Sequence, residues 1–431
     1  MKTLTRIFVL SIASSVLALS GGCATAMIKY GKDDIRFVRG VLRKGDKNFT
    51  VRAVQVPGVV AAGPELDLPM LARIADPGGN TVAFDLTGFS ADGKELDPKA
   101  VETVLAYAQR CKDQHMAPLV RVLGAVEDPA ARRHAVVTAA KAFRGEGRAV
   151  YWIDGPDAGA LAKLFKKTAR NLTVAAPENG DMATVDAPPD PGPAKQALLV
   201  GQTPPVGRGD VHFVVPQSDG AYAAIDNALR DPSELEPWTP DNSAVSEAER
   251  AEGFIALFDG KTTNGWFSRE PGKTSFEARD GCLEWVRGGS GAFMTHDRYD
   301  NFILRFDWKI KQGGNSGVWV RAPRGGRSSK IGFEFQIMGD SDIAEPTDTS
   351  TGSIYEVVPP KAKAAKPEGE WNSVELVLDG QHYKATLNGV VVQDMNLDED
   401  PVMKTRLHKG FICVTDHGNW VAYRNIRLKK L

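Results

Sequence analysis

The stretch GGNSGVWVR (residues 313–321), followed by GFEFQIMGD (residues 332–340), decides the fold of the last third of this chain. In the first phrase Asn315, Trp319 and Arg321 alternate with valines, and in the second Glu334 and Gln336 alternate with phenylalanine and isoleucine. A period of two is typical of β-strands, whose successive side chains point to opposite faces of a sheet. We therefore predict two strands with one apolar face and one face rich in hydrogen-bonding groups.

The preceding segment, residues 301–310, shows the same pattern and predicts a third strand. The polar faces could simply be solvated, because antiparallel sheets commonly leave one face in water. Trp319 argues for a binding surface instead, since a large indole ring on a polar face is costly unless something covers it.

Eight short phrases between residue 253 and the C-terminus carry a family resemblance. They are GFIALFDGKTTNGW (253–266), DGCLEW (280–285), GGNSGVWVR, GFEFQIMGD, TGSIY (351–355), GEWNSVEL (369–376), LNG (387–389) and DHGNWVAYRNIRLKK (416–430). In this order they resemble the 3-keto-disaccharide hydrolase domain family, once a domain of unknown function. One departure is visible, because Gly339 stands before Asp340 where the family places an Asp directly after its Gln-Ile-Leu phrase.

The resemblance implies an all-β, concanavalin-like jelly roll whose concave face binds sugar. It also implies a glycoside already oxidised to a ketone at C3, cleaved by elimination and hydration. On this basis the candidate catalytic residues are Glu334 and His417, which are also the candidate ligands of a divalent cation. The candidate substrate-binding residues are Asn315, Trp319, Arg321, Gln336 and Tyr355.

Plainer interpretations of these residues stay open at this point. Glu334 could pair with Arg321 across neighbouring strands as an ordinary ion pair. His417 could cap a turn together with Asp416. The whole sheet could bind carbohydrate without cutting it, and fold alone does not decide between the two functions.

The first half of the chain, residues 35–238, has the rhythm of repeated βα units. Helices are predicted over residues 98–114 and 130–143. Seven strands are predicted, at residues 52–56, 81–86, 118–123, 149–153, 172–176, 197–201 and 211–215. This arrangement resembles a degenerate TIM barrel of the glycoside hydrolase type, one strand short of a closed (β/α)8 barrel.

Asp85, Asp154 and Glu178 follow barrel strands, where sites of such folds form, but each is equally explained as a cap or loop carboxylate. A barrel glycosidase with a C-terminal binding module is therefore a third hypothesis. No Glu follows the seventh strand, which argues against it, because retaining glycosidases need two opposed carboxylates.

The remaining segments set the domain boundaries. Residues 239–252 are polar, begin just after Pro237 and contain Pro240, which predicts a linker between the halves. Residues 177–194 are rich in proline and are predicted to be an insertion on the barrel rim.

The N-terminus, residues 1–26, is predicted to be a signal peptide, with Lys2 and Arg6 before a short apolar run. Cleavage before Cys23 would suit a bacterial lipoprotein carried to the outer membrane. Ordinary cleavage near Ala24 or Ala26, which would leave a periplasmic or secreted protein, is the alternative.

Composition narrows the partners. The chain has 53 Lys and Arg against 54 Asp and Glu, so nucleic-acid binding has no electrostatic support. Its four cysteines lack metal-ligand spacing, which does not fit a structural zinc. The expected partner is a carbohydrate, and the expected membrane contact is a lipid anchor alone.

Overall fold

The structure is a computed structural model. It describes residues 33–38, 41–44, 47–64, 67–176, 182–185, 197–200, 212–230, 237–269, 275–288 and 291–431. The predicted signal segment, its Cys23, and Glu178 lie outside the described residues. Within the described residues, no helix combines the length and the apolar character needed to cross a bilayer.

The N-terminal half forms a parallel barrel behind a short antiparallel hairpin. The hairpin strands are β1 (Ile35–Val38), β2 (Val41–Lys44) and β3 (Lys47–Asn48). The barrel strands are β4 (Arg52–Gln55), β5 (Thr81–Asp85), β6 (Ala117–Arg121), β7 (Val150–Trp152), β8 (Thr173–Ala176), β9 (Met182–Val185), β10 (Ala197–Val200) and β11 (His212–Pro216). They pair in the order β10-β11-β4-β5-β6-β7-β8-β9, and β9 pairs with β10 to close the ring. The prediction of seven strands is wrong by one, since β9 lies in the segment predicted as a loop insertion.

Helices cover part of this barrel. They are α1 (Val59–Ala62), α2 (Leu68–Ala75), α3 (Pro98–Asp113), α4 (Pro129–Ala142), α5 (Ala158–Thr168) and α6 (Asp219–Leu229). The helices α2, α3 and α4 share a start signal, because an aspartate side chain caps each first turn and a proline follows in it. The connection from β8 to β9 is five residues long (177–181), shorter than the roughly dozen residues of a usual parallel crossover. The barrel thus departs from a regular (β/α)8 pattern, and kinship with glycoside hydrolase barrels stays a prediction.

The C-terminal half is a β-sandwich. One sheet has eight strands, ordered β14-β15-β24-β17-β20-β21-β22 with β12 added on β24, and the other has five, ordered β13-β16-β23-β18-β19. Their bounds are β12 (Ile255–Ala256), β13 (Trp266–Ser268), β14 (Phe276–Arg279), β15 (Cys282–Trp285), β16 (Ala292–Tyr299), β17 (Phe302–Ile310), β18 (Asn315–Ala322), β19 (Phe333–Met338), β20 (Asn372–Asp379), β21 (His382–Leu387), β22 (Val390–Asn396), β23 (Gly410–Thr415) and β24 (Val421–Lys430). Two short helices accompany them, α7 (Glu247–Ala251) and α8 (Ser328–Ile331).

Alternation builds the sandwich core. Every second residue of β17, from Phe302 to Ile310, is buried, as the period of two predicts. Val318 and Val320 of β18 face the same core from the opposite sheet. The other face of the five-stranded sheet, which carries Asn315 and Trp319, is left to form the site.

The segment predicted as a linker is attached to the sandwich. The Asn242 side chain accepts a hydrogen bond from the Ala256 amide at 2.8 Å. Glu249 of α7 accepts from Arg427 at 2.7 Å and lies 3.3 Å from Arg305. The first turns after the barrel therefore belong physically to the C-terminal unit.

The two halves dock through the loop between β18 and α8. The amides of Arg324, Gly325 and Arg327 donate to barrel carbonyl oxygens of Asp76, Ala75 and Gln114, each at 2.9 Å. Gly325 is needed here, because a Cβ on it would lie 2.8 Å from the Cα of Gly78. Ion pairs add to the contact, since Asp226 lies 3.3 Å from Arg324 and 3.5 Å from Arg298.

Candidate active site

A cleft of about 650 Å³ lies between the five-stranded sheet and the barrel edge at which the strands begin. Its volume falls within the range of small-molecule sites. Six of the seven predicted catalytic and substrate-binding side chains line it. They are Asn315, Trp319, Glu334, Gln336, Tyr355 and His417.

Strand register brings the central residues together. β18 and β19 are antiparallel, with Trp319 directly opposite Glu334 and Gly317 opposite Gln336. A Cβ on Gly317 would lie 2.1 Å from Glu334 Oε1. The missing side chain at Gly317 therefore makes the space that the Glu334 carboxyl occupies.

Glu334 is an unusual carboxyl for a sheet surface. It is 3 % exposed, and its Oε1 has no hydrogen-bond partner among the residues described. Burial raises its pKa to about 8, while the adjacent Trp319 N–H group and the positive charge of Arg327 oppose this rise. Near neutral pH the group is thus mostly protonated, and once ionised it is a stronger base than an exposed glutamate.

Two further buried polar atoms of the cleft are unsatisfied within the described part of the chain. They are Trp319 Nε1 and Gln336 Oε1. Gln336 Nε2 makes only a long hydrogen bond, 3.4 Å, to the Asn315 side chain. Because buried polar groups are nearly always paired in native proteins, three such atoms around one cleft point to a polar ligand.

Arg321 does not reach the cleft, so its prediction as a substrate-binding residue is wrong. A register shift between Trp319 and Ala322 interrupts the pairing of β18 with β23, and Arg321 adopts φ 50°. Its guanidinium turns away and donates to Gln381 Oε1 at 2.8 Å and to backbone carbonyls of Asp300 and Gly380. The predicted alternative, an ion pair of Arg321 with Glu334, is absent for the same reason.

His417 lies on a turn that Asp416 holds in place. The Asp416 carboxylate accepts from Ser275 Oγ at 2.6 Å, from Trp285 Nε1 at 2.7 Å and from the Gly418 amide at 2.9 Å. The turn cap is thus made by Asp416, and the His417 ring stays exposed at the rim of the cleft. Partial desolvation by the surrounding protein lowers its pKa, which Asp416 partly counters, so the imidazole is neutral at pH 7.

The displaced Asp340 has a structural role. Its carboxylate accepts from the Thr351 hydroxyl at 2.7 Å and from the Thr351 amide at 3.0 Å. It fastens the loop that leads to Tyr355 and does not line the cleft.

Sequence reasoning missed the remaining walls. Those from the sandwich are Arg269, Gly291, Arg324, Gly325, Gly326, Arg327, Ser328, Ser329 and Asp416, and those from the barrel are Lys47, Phe49, Arg52, Asn80 and His115. The phrase PRGGRSS (residues 323–329) was a usable signal, because two arginines flank a glycine pair between adjacent strands. The barrel residues carried no local signal, since their place in the site depends on how the two halves dock.

The side chains do not fit a metal site. Within the described residues, no group of three or more His, Cys, Asp or Glu is placed to hold a cation. Glu334 instead feels the positive charge of Arg327, and guanidinium groups line the same cleft. A divalent cation at Glu334 and His417 stays a prediction that loss of activity in EDTA would support, and the chemistry below uses protein groups alone.

The opposite edge of the barrel holds a closed ion cluster. Arg121 donates to Asp154 at 2.7 Å, lies 3.5 Å from Asp85 and covers the Trp152 ring at 4.9 Å. Arg121 thereby balances the charge of both carboxylates, although Asp85 Oδ1 makes no hydrogen bond among the described residues, and this pairing favours the structural interpretation of Asp85 and Asp154. The described residues of this edge lend no support to a barrel glycosidase.

Residues 253–429 match the family of the 3-keto-alpha-glucoside-1,2-lyase-like domain, which confirms the family predicted from the motifs of the C-terminal half. A 3-keto-disaccharide hydrolase of Bacteroides thetaiotaomicron is 29% identical over 232 residues, an alignment that spans 42% of this chain and 79% of that protein. Among solved structures, a candidate glycosyl hydrolase of Parabacteroides distasonis is 26% identical, with a TM-score of 0.39, over 43% of this chain and 98% of its own. The carbohydrate-binding module CBM66 of Bacillus subtilis is 12% identical, with a TM-score of 0.29, over 38% of this chain and 96% of its own.

Proposed function

We propose that this protein cleaves 3-keto-glycosides in the interdomain cleft, by elimination across C1 and C2 followed by addition of water. The family match and the Bacteroides thetaiotaomicron relative support a glycoside-processing role for the C-terminal half. Glu334 carries the proposal, because it is a buried carboxyl whose Oε1 has no hydrogen-bond partner among the described residues, facing a cleft large enough for a sugar.

The chemistry needs a base, because the ketone at C3 acidifies the hydrogen on C2. Ionised Glu334 takes that proton, and the electrons of the C–H bond form an enolate over C2 and C3. The enolate collapses to a C1–C2 double bond while the C1–O bond breaks, and the aglycone oxygen leaves with the electron pair of that bond and takes a proton from solvent. Water then adds at C1 and gives up a proton to His417, while C2 is protonated by Glu334 after that carboxyl has exchanged its proton with solvent, so that the net reaction is hydrolysis.

Neighbouring groups have matching tasks. The buried Trp319 Nε1–H group forms no well-aligned hydrogen bond among the described residues and lies close enough to Glu334 to lower the pKa of that carboxyl, so it is suited to donating to the enolate oxygen beside the base. Neutral His417 at the rim is better suited to accepting a proton from water than to donating one to the aglycone. Asn315, Gln336 and Tyr355 supply donors and acceptors for sugar hydroxyls.

The test is release of nitrophenol from 4-nitrophenyl 3-keto-glucoside, with the unoxidised glucoside as control substrate. Wild type should release the aglycone only from the keto form. Glu334→Gln should lower the rate roughly 10²- to 10⁴-fold, the usual contribution of a general base. Glu345→Gln, which changes an exposed carboxylate outside the cleft, should leave the rate unchanged.

Running the reaction in D₂O separates elimination from direct hydrolysis. Elimination and hydration should place deuterium on C2 of the released 3-keto-glucose. Release without deuterium at C2 would contradict the mechanism, and binding of both glucosides without any release would favour the carbohydrate-binding alternative. Cleavage of the unoxidised glucoside would instead support a barrel glycosidase.

We also propose that the protein works in the bacterial envelope, anchored to the outer membrane through Cys23. Cys23→Ser should move the protein from the membrane fraction to the soluble fraction on cell fractionation. Unchanged membrane association of this variant would argue against lipidation.

A further inference from the structure

The cleft has a cationic wall, built from both halves of the chain, that the proposed reaction does not use. Five of the lining side chains are cationic, namely Lys47, Arg52, Arg269, Arg324 and Arg327, and two are acidic, namely Glu334 and Asp416. Glu334 is mostly protonated near neutral pH, and Asp416 is engaged in the turn that carries His417. The cleft therefore carries excess positive charge.

Two of the five cations are compensated by carboxylates outside the cleft. Arg324 lies 3.3 Å from Asp226, and Arg327 lies 3.2 Å from Glu356. Lys47 and Arg52 differ, because neither forms an ion pair with a carboxylate in the part of the chain that the structure describes. Both come from the barrel half, at its edge against the sandwich.

Arg52 is rigidly held and largely desolvated. Its Nε donates to the Gly78 carbonyl at 2.9 Å, and its amide donates to the Asn80 side chain at 2.9 Å. Asn80 in turn donates to the Thr50 carbonyl at 2.7 Å, which fixes the start of β4. Burial and the nearby charge of Arg269 lower the pKa of Arg52 to about 10, which is the response of a buried cation without a counter-ion.

The pKa of His115 is affected by the same positive charges. Burial and the charges of Arg327, Lys44, Arg269 and Lys47 together lower its pKa to about 4. A largely desolvated cation such as Arg52 is costly among like charges, and an anion bound beside it relieves that cost.

The wall adjoins the proposed reaction centre. The Arg269 guanidinium lies 6.0 Å from the Trp319 ring, and Trp319 faces Glu334 across the strand pair. Arg269 is itself close enough to Arg52 to affect its pKa. A group attached to a sugar at Trp319 and Glu334 would therefore extend towards Arg52.

We propose that the cleft selects acidic glycosides, whose carboxylate, sulfate or phosphate group is bound by Arg52 and Lys47 while the sugar ring lies at Trp319 and Glu334. This inference rests on the proposed function for the place of the sugar. It adds the substrate class, and it assigns the barrel half a role in recognition.

A matched pair of unoxidised ligands tests it by calorimetry without requiring cleavage. 4-Carboxyphenyl glucoside and 4-carbamoylphenyl glucoside have nearly the same shape and differ in charge. Wild type should bind the carboxylate at least about tenfold more tightly, the effect of one charge-assisted hydrogen bond, and added salt should reduce this preference. Competition by inorganic sulfate and by inorganic phosphate then tells which anion the wall prefers.

Variants locate the effect. Arg52→Gln and Lys47→Gln should each reduce the preference to a few-fold, and Arg52→Lys should keep most of it. Lys163→Gln, an exposed position on α5 outside the cleft, should keep all of it. Because Lys47 is exposed, its variant remains informative if Arg52→Gln fails to fold.

Equal binding of the two glucosides by wild type, no binding of the acidic one, or a preference unchanged in both Gln variants would overturn the proposal. Failure of the proposed function is separable from these results. It would appear as a retained preference for the acidic glucoside with no release of aglycone from the keto substrate.

Discussion

At the scale of single residues, Glu334 combines a cost to folding with a use in chemistry. A carboxyl that is 3 % exposed and whose Oε1 lacks a hydrogen-bond partner in the described structure keeps its proton to unusually high pH. The same desolvation makes the ionised form a strong base once it appears. A sheet face that is only solvated would not need a buried, strongly basic carboxyl. The burial of Glu334 therefore favours a catalytic role.

The pH dependence of kcat/KM on the keto substrate should show this directly. We expect an ascending limb with its midpoint at about 8, because Glu334 must be ionised in the free enzyme. The positive charge of Arg327 lowers the pKa of Glu334, so Arg327→Gln should move the limb to higher pH. Lys163→Gln should not move it, and a rate already constant from weakly acid pH would contradict the assignment.

The stability of Glu334→Gln should depend on pH in a set direction. The folded-state pKa of about 8 exceeds the ordinary value of 4.5, so the stability of the wild type falls as pH rises between these values. Glutamine has no such loss. Relative to wild type, the variant should thus gain on the order of a few kcal/mol between about pH 4 and about pH 9. Thermal unfolding at the two pH values measures this, with Glu345→Gln as control, and a pH-independent difference would refute it.

At the scale of elements, the pair β18 and β19 is the frame of the site. Register sets Trp319 against Glu334, and the glycine of the NSG phrase leaves the gap into which the carboxyl fits. The glycine of this phrase is thus explained by the volume of the Glu334 side chain on the facing strand.

Gly317→Ala should therefore remove activity while the sandwich stays folded. Its Cβ would meet Glu334 Oε1 at 2.1 Å, and the carboxyl must turn away from its place in the cleft. We expect a loss of at least about 10²-fold in kcat, similar to removing the base itself. Gly288→Ala is the matched control, because a Cβ there meets nothing within 4 Å. Unchanged kcat in Gly317→Ala would show that the carboxyl position is not critical.

Local pattern predicted elements better than it predicted the site. Alternation and apolar runs placed β17, β18, β19 and seven barrel strands, because these depend on which face a residue presents to a core. The alternation pattern wrongly placed Arg321 on the cleft face, because a register shift and a positive φ turn its side chain away from that face. Arginine gives no warning of such a conformation, whereas asparagine or glycine would have done so.

At the scale of the whole molecule, the site exists because two halves meet. The barrel presents the edge where its strands begin, with Arg52 at the start of β4 and His115 just before β6. Enzymes built on regular TIM barrels have their active sites at the opposite edge. In this protein Arg121 forms ion pairs with Asp85 and Asp154 there. No sequence pattern within either half could predict this wall, since it is set by complementary surfaces formed only after both halves fold.

Docking itself is open to measurement by amide hydrogen exchange on the full chain. The amides of Arg324, Gly325 and Arg327 donate across the interface, so they should be protected in wild type although they lie in a loop. Gly325→Ala should remove protection from these three amides and leave that of β18 and β19 intact, because a Cβ would press on the Gly78 backbone at 2.8 Å.

The same variant should lose the preference for acidic glucosides, since Arg52 and Lys47 would no longer line the cleft. Gly145→Ala, on an exposed barrel turn with nothing within 4 Å of a Cβ, should leave both properties as in wild type. Rapid exchange of the three amides in the unmutated protein would show that the halves do not meet in this way, and the cationic wall would then have no place in the site.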